Sequence, residues 1–221
     1  MRKNLVSVCA MALLALGGCS SNDRNWGDYF EMLRQSISAS FGKQLISRDQ
    51  AGAVPYASMA YRADGSSEAM LVLATETNGN LLWTAASRVV LLTNGGRVLR
   101  SIGLPHNREA TVATSPEGFP PIAAALKSAY TSTRIVDMPE LGAYSVTLIC
   151  TAMPVGPRMI RILGMALATV QVNESCRGNN SPWKFTDTYW LDPETGFPWQ
   201  SRQHLTPKGP VLEIRILRPP E

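Results

Sequence analysis

Cys19 is the residue whose sequence context most clearly indicates a covalent modification. It ends the segment Leu16-Gly17-Gly18-Cys19, in which a branched apolar residue and two small residues precede the cysteine. Enzymes that process exported proteins recognise this pattern, acylate the thiol and cleave the chain directly before it. Cys9 follows the bulky Val8, where such a site needs a small residue. We therefore predict that Cys19 is lipidated; the alternative is an ordinary secreted protein with a cysteine at its cleavage site.

Cys150 and Cys176 are the other two cysteines of the exported chain. They are free to form a disulfide outside the cytoplasm, and closing the loop between them would contribute about 3.5 kcal/mol to stability. The alternative is a pair of buried free thiols. Neither cysteine has a second cysteine or a histidine at metal-ligand spacing, so we predict no metal site.

The histidines and carboxylates do not form a recognisable catalytic pattern. His106 follows a predicted strand and His204 lies within one, and neither stands in a context that places it beside a nucleophile. Asp192 opens the segment 192–196, which has the composition of a turn whose aspartate bonds its own backbone. A glycosidase would instead need two carboxylates across a cleft. The sequence therefore favours a protein that is not an enzyme and needs no cofactor.

Two tryptophans offer a different kind of site. Trp190 and Trp199 flank the 192–196 turn, and exposed indole rings stack on the apolar C–H faces of sugar rings. We note either residue as a candidate for glycan stacking, with burial in the core as the alternative.

The N-terminal sequence predicts that the chain is exported from the cytoplasm. Arg2 and Lys3 precede an apolar run from Leu5 to Leu16, which is shorter than the roughly 20 residues that span a membrane. We predict a signal peptide at residues 1–18 that is removed, a lipidated tether at 19–25 and a single β-rich domain at 26–221. Two or three acyl chains anchor a protein stably, whereas one does so only reversibly.

Charge excludes one class of partner. Arg2 and Lys3 belong to the predicted signal peptide, so the remaining chain carries 19 of the 21 basic residues and all 17 acidic residues. It contains no basic run or aromatic–basic stripe, which nucleic-acid binding would require. We predict no nucleic-acid partner.

Hydrophobic periodicity predicts one helix followed by many strands. In residues 26–41 an apolar stripe recurs at helical spacing and consists of Phe30, Leu33, Ile37 and Phe41. This N-terminal helix is expected to pack on the domain core; the alternative is a helix that binds a partner or lies on the membrane. Residues 122–130 have the pattern of a second, short helix.

Turn residues separate the strand-like runs. Asn78-Gly79 is the clearest, because both residues tolerate the positive φ of a tight hairpin turn. Short connections of this kind leave no room for crossover helices and indicate antiparallel neighbours. The predicted strands are 56–62, 69–75, 81–85, 89–92, 98–102, 131–136, 144–151, 159–163, 166–174, 183–191, 197–205 and 211–217, with 153–157 as an interruption.

Several segments together resemble the YjbF family of lipoproteins, which includes the group 4 capsule lipoprotein. The stretch 108–181 is not part of the resemblance. The matching segments are VPYASM (54–59), AMLVL (69–73), NGNLLW (78–83), GRVLRSIGLP (96–105), YWLDPETGFPWQS (189–201) and IRILRP (214–219).

This resemblance implies a fold and a role. The fold is mainly β, an antiparallel meander curled into an open or half barrel. The role is exopolysaccharide or capsule production at the outer membrane, beside a large β-barrel partner, and the family supplies no catalytic residue to transfer. Ser20 agrees with this location, because an aspartate after the lipidated cysteine often retains lipoproteins at the inner membrane.

Three functions remain open at this point. The first is a non-catalytic accessory lipoprotein, anchored in the outer membrane and facing the periplasm, that supports polysaccharide secretion or assembly and binds the barrel partner, the polysaccharide or both. The second is a carrier that shelters a lipid or acyl chain in the concave sheet. The third is a polysaccharide-modifying hydrolase.

Overall fold

The computed structural model describes residues 44–114, 118 and 120–220, and its strands form one twelve-stranded antiparallel sheet. The predicted signal peptide 1–18, the tether 19–25 and the predicted helix 26–41 lie outside the described residues. The elements are α1 (Arg48–Gly52), β1 (Ser58–Ala63), β2 (Ala69–Thr77), β3 (Asn80–Thr84), β4 (Val90–Asn94), β5 (Arg97–Ile102), β6 (Ala110–Ala113), β7 (Tyr130–Met138), β8 (Ala143–Ile162), β9 (Met165–Gly178), β10 (Lys184–Leu191), β11 (Pro198–His204) and β12 (Val211–Arg218).

The first and last strands meet in the middle of the sheet. The order is β5-β4-β3-β2-β1-β12-β11-β10-β9-β8-β7-β6, so two meanders are joined by the pairing of β1 with β12. The two edges, β5 and β6, follow one another in the chain. The backbone N–H of Ser101 donates to the carbonyl of Arg108 at 2.9 Å, and the N–H of Arg108 donates to Oγ of Ser101 at 2.9 Å. These bonds bring the edges together, and the sheet is a nearly closed barrel.

Side chains alternate between the inside and the outside of this barrel. In β10, Phe185, Asp187, Tyr189 and Leu191 are buried, and the residues between them are half-buried or exposed. This is the two-residue period of a strand with one covered face. A five-residue 3-10 helix, Ile122–Leu126, packs its apolar side against Tyr189 and Leu191 on the inner face.

The hairpin turns explain why neighbouring strands pair in sequence order. Asn78 and Gly79 have φ values of 51° and 74°, and they join β2 to β3 in a direct antiparallel pair. Positive φ at both central residues is the geometry that matches the right-handed twist of flanking strands. The predicted antiparallel meander curled into an open or half barrel is thus confirmed.

The predicted interruption at 153–157 is wrong. β8 runs without a break from Ala143 to Ile162, with a bulge between Pro154 and Gly156. The pairing of β7 with β8 ends at Tyr130 opposite Ala152, so beyond that point β8 has only β9 as a neighbour. Proline removes no ladder bond on such a free edge, which is why the strand tolerates it.

Two further predictions in this region differ from the structure. The sequence predicts no strand at Ala110–Ala113, where the structure has the short edge strand β6. The second predicted helix, 122–130, is reduced to the 3-10 helix, and Tyr130 already belongs to β7. Among the described residues, no helix has the length and apolar character needed to cross a membrane.

The far half of the β8–β9 hairpin extends beyond its neighbours. β10 stops pairing with β9 at Leu191 opposite Val170, so the two strands pair only with each other toward the tip. Leu163 at the tip packs against the cluster around α1, and its carbonyl accepts a hydrogen bond from Nη2 of Arg48 at 2.9 Å. The hairpin thereby reaches back to the first half of the sheet.

Candidate functional site

Glu174 lies at the centre of a buried charged cluster inside the barrel. Its side chain is 0 % exposed, and those of Arg97 and Arg134 are 3 % exposed. Nη2 of Arg97 lies 2.9 Å from Oε1 of Glu174, and Nη1 of Arg134 lies 3.3 Å from Oε2. Because Arg97 comes from the edge strand β5 and the other two residues from β9 and β7, the cluster ties the two halves of the barrel together across its interior.

The two guanidinium groups keep Glu174 ionised. Burial alone would raise the pKa of this carboxyl, but the charges and hydrogen bonds of Arg134 and Arg97 outweigh burial and leave the pKa below its usual value. Burial likewise favours a lower pKa for Arg97, and Glu174 raises it instead. An ionised carboxylate accepts hydrogen bonds and has no proton to donate. Glu174 is therefore suited to hold the fold and not to act as a general acid.

Arg108 is a second buried guanidinium, and it has backbone partners. It donates to the carbonyls of Leu205 and His204, each at 2.9 Å, and to the carbonyl of Val98 at 3.3 Å. Burial, together with the positive charge of Arg134, lowers the pKa of Arg108 to about 10, so the group stays protonated at neutral pH. Arg108 lies in the segment that connects β5 to β6, and its bonds hold that segment against the end of β11.

Asp187 and His204 form the arrangement closest to catalytic machinery. Oδ1 of Asp187 accepts from the backbone N–H of His204 at 2.8 Å and lies 3.1 Å from Nδ1 of the ring. Burial raises the pKa of Asp187, although the bonds to His204 oppose this. A carboxylate can orient an imidazole base in this way. Within the described residues, however, no hydroxyl or thiol is hydrogen-bonded to the His204 ring.

The carboxylates near the 192–196 turn do not face each other across a cleft. Oδ1 of Asp192 accepts hydrogen bonds from the backbone N–H groups of Glu194 at 3.0 Å and Thr195 at 2.8 Å. These bonds, with that of Thr195 foremost, lower the pKa of Asp192. This is the turn geometry that the sequence predicts for Asp192.

The structure separates the two candidate stacking residues. Trp190 lies directly opposite Gln200, and residues directly opposite each other share a face of the sheet. Trp199, one residue before Gln200, lies against the inner core and packs edge-on against Phe197 with ring centroids 4.9 Å apart. The two indoles are both half-buried, but on different faces, so they form no joint platform. Stacking at either one alone stays a prediction.

Cys150 and Cys176 are joined by a disulfide in the structure. They lie directly opposite each other on β8 and β9, with Cα atoms 4.0 Å apart and both side chains buried. Nη2 of Arg134 lies 3.1 Å from Sγ of Cys176. The disulfide therefore adjoins the charged cluster around Glu174. Cys19, the predicted lipidation site, lies outside the described residues.

A groove lies on the outside of the second half of the barrel. Its volume is about 680 Å³, within the range of ordinary ligand sites, and it is open to solvent. We call it the outer groove. It is lined by Thr131, Ile149, Thr151, Ser175, Cys176, Arg177, Lys184, Phe185 and Thr186.

Sequence reasoning missed both the buried cluster and the outer groove. Arg97 and Glu174 are 77 residues apart in the chain, and only the folded sheet brings them together. One signal was available for Arg134 and Glu174, because each is a charged residue at an inward position of an alternating strand. In the described ranges, no group of three or more histidine, cysteine, aspartate or glutamate side chains is placed to hold a metal ion.

The curled sheet, with a charged cluster in its mainly apolar interior and its first and last strands paired, is the fold of a lipoprotein family. Residues 33–217 match the family of the group 4 capsule polysaccharide lipoprotein gfcB, YjbF, and the chain belongs to this family. The resemblance predicted from the sequence is thus confirmed.

Matches from Escherichia coli K12, one by sequence and one by structure, cover nearly the whole chain. The uncharacterized lipoprotein GfcB is 26% identical over 224 residues, which cover 99% of this chain and 99% of that protein. The crystal structure of the hypothetical lipoprotein YmcC matches with a TM-score of 0.72 at 23% identity, covering 88% of this chain and 96% of that chain. The second comparison supports the fold alone.

Proposed function

We propose that this protein is an outer-membrane lipoprotein that faces the periplasm and acts as a non-catalytic accessory in capsule or exopolysaccharide secretion or assembly. In this proposal acyl chains on Cys19 anchor the protein. The folded domain of this protein then acts beside a partner, an outer-membrane β-barrel protein through which the polysaccharide passes. Membership of the capsule lipoprotein family supports the connection with polysaccharide.

The proposal that the protein is not a catalyst rests on the positions of its carboxylate and imidazole side chains. Glu174 is enclosed by two arginines, and the side chain of Asp187 is 3 % exposed and bonded to His204. A hydrolase that acts on a polymer must present its acid and base to an open cleft. The open groove of this protein instead carries hydroxyl groups and two cations, which suit binding.

The cavity found inside the described part of the barrel offers little support for the carrier alternative. A cavity lies between the two sheet halves near Trp83, Phe197 and Ile214, and its volume is about 40 Å³. Sites for small organic ligands usually measure about 300–1,000 Å³. This cavity is close to the space of one water molecule, and it does not accommodate an acyl chain.

Deleting the gene is expected to reduce the amount or chain length of surface polysaccharide, and a His204→Gln variant is expected to restore it fully. The reason is that His204 is the described imidazole best placed to serve as a base, so a hydrolase would lose activity with it. The measurement is polysaccharide yield and length distribution in the deletion strain carrying each variant at equal protein level. An unchanged deletion strain would refute the accessory role, and failure of well-folded His204→Gln would favour the enzyme.

A Cys19→Ala variant is expected to leave the membrane fraction and to restore polysaccharide poorly, because its fold is intact and its location is wrong. Fractionation of cells followed by immunoblotting measures the first effect. The matched control is Cys150→Ala/Cys176→Ala, which keeps the anchor and should remain with the outer membrane. If Cys19→Ala still sediments with membranes, the anchor lies elsewhere, and the apolar stripe of residues 26–41 is then the first segment to test.

A further inference from the structure

The outer groove contains a continuous row of hydroxyl groups that crosses four strands. Thr131 lies opposite Thr151, Thr151 opposite Ser175, and Ser175 opposite Thr186. The hydroxyl oxygens of Thr131 and Thr151 are 3.0 Å apart, and those of Ser175 and Thr186 are 3.1 Å apart. With about 4.8 Å between strands, the row is roughly 14 Å long. Its hydroxyl groups can both donate and accept hydrogen bonds.

The adjacent row, two residues further along these strands on the same face, carries two positive charges without a partner. Arg177 lies directly opposite Lys184, both are exposed, and within the described ranges neither side chain has an ion pair or hydrogen bond. Like charges directly opposite each other destabilise a sheet. Asp137 and Glu213 have other partners, since Asp137 accepts a hydrogen bond from the N–H of Ser145 and Glu213 pairs with Arg62.

From the hydroxyl row and the adjacent unpaired cations, we propose that the outer groove binds a polysaccharide strand that carries carboxylate groups. This inference rests on the proposed role in polysaccharide production, which brings the polymer within reach. Threonine and serine hydroxyls exchange hydrogen bonds with the sugar hydroxyls. Arg177 and Lys184 bind the carboxylates, with arginine able to form paired bonds to both oxygens.

A polysaccharide fits this surface better than an anionic membrane does. Peripheral membrane sites combine basic residues with large apolar side chains that enter the bilayer. The exposed residues beside Arg177 and Lys184 are short and hydroxyl-bearing, and the apolar Ile149 in the same row is half-buried. The surface therefore offers hydrogen bonds along a line and charge at one side, which match an extended, hydrated polymer.

The test measures binding of the purified lipidated protein, in nonionic detergent, to polygalacturonate and to uncharged dextran. Arg177→Ala/Lys184→Ala is expected to weaken polygalacturonate binding at least tenfold. The control Arg158→Ala/Arg161→Ala removes the same charge from exposed positions of the β8–β9 hairpin outside the groove, and it should change binding less than twofold. Equal losses in the two double variants, or equal binding of dextran, would overturn the inference.

A second variant separates the groove from simple charge attraction. Thr151→Val/Thr186→Val keeps β-branched side chains, which suit strands, and removes two hydroxyls from the row. It is expected to bind polygalacturonate several-fold more weakly with an unchanged unfolding midpoint. Binding equal to that of the unaltered protein would show attraction by charge alone and would overturn the inference.

Two further readouts separate this inference from its alternatives. Adding phosphatidylglycerol to the detergent micelles should leave polygalacturonate binding unchanged; displacement at equal charge would identify a lipid-headgroup site instead. In the deletion strain, Arg177→Ala/Lys184→Ala should restore polysaccharide incompletely. If it restores it fully, the groove inference fails and the accessory role stands, whereas an unchanged deletion strain refutes the accessory role whatever the groove binds in vitro.

Discussion

Replacing Glu174 with glutamine is expected to lower the free energy of unfolding by about 3–5 kcal/mol, because it leaves the guanidinium groups of Arg97 and Arg134 buried without a counter-charge. Glutamine has nearly the same shape, so the loss reports charge and not a cavity. Urea unfolding of the detergent-purified protein, followed by tryptophan fluorescence, measures it. A net stability of about 5–15 kcal/mol is usual for a domain, so the expected loss is a large part of the total free energy of unfolding.

The matched control is an exposed ion pair. Arg100 and Glu109 are also in contact, but their side chains are 47% and 49% exposed. Glu109→Gln is expected to cost less than about 1 kcal/mol, since water screens exposed pairs and solvates the remaining charge. Equal losses for Glu174→Gln and Glu109→Gln would contradict a structural role for the buried cluster.

The pH dependence of this loss has a definite sign. The folded-state pKa of Glu174 lies below its usual value of 4.5, so its stabilising effect is fully present above about pH 4.5 and is lost as the pH falls through the folded pKa. The difference between the unaltered protein and Glu174→Gln should be largest at pH 7 and shrink below pH 4.5. Asp187, whose pKa is raised chiefly by burial and also by the charge of Glu174, contributes in the opposite direction.

The parts of the fold that depend on local sequence were predictable. Alternating apolar residues and turns such as Asn78-Gly79 determine short antiparallel hairpins, and these agree with the structure within one or two residues at most ends. β8 shows where local rules fail. A proline usually ends a central strand. Pro154 is compatible with β8 because β7 stops pairing at Ala152. That fact depends on the length of a neighbouring strand and is not visible in the segment itself.

The sites depend on contacts between distant segments, and they were correspondingly harder to predict. The faces of Trp190 and Trp199 depend on which residue lies opposite Trp190, and the pairing with Gln200 places Trp199 on the other side. The hydroxyl row of the outer groove requires the register of three strand pairs to be known. A shift of one residue in any of them would turn a strand's serine or threonine to the inside. Residue types alone therefore do not locate these sites.

Removing the disulfide with Cys150→Ala/Cys176→Ala is expected to lower the free energy of unfolding by about 3 kcal/mol. The bond closes the loop that contains the rest of the β8–β9 hairpin, and its loss gives the unfolded chain more freedom. It also removes a sulfur that lies 3.1 Å from Nη2 of Arg134, beside the charged cluster. Urea unfolding under the same conditions as for Glu174→Gln measures the effect.

Reduction of the unaltered protein supplies the control for that prediction. Dithiothreitol should lower its unfolding midpoint to that of the double variant and should leave the double variant unchanged, because the variant has no bond between these strands to reduce. A loss below about 1 kcal/mol, together with no response to dithiothreitol, would contradict a disulfide in the folded protein and would favour two buried thiols. Because Glu174 and Cys176 both contact Arg134, combining their variants should cost less than the sum of the separate losses.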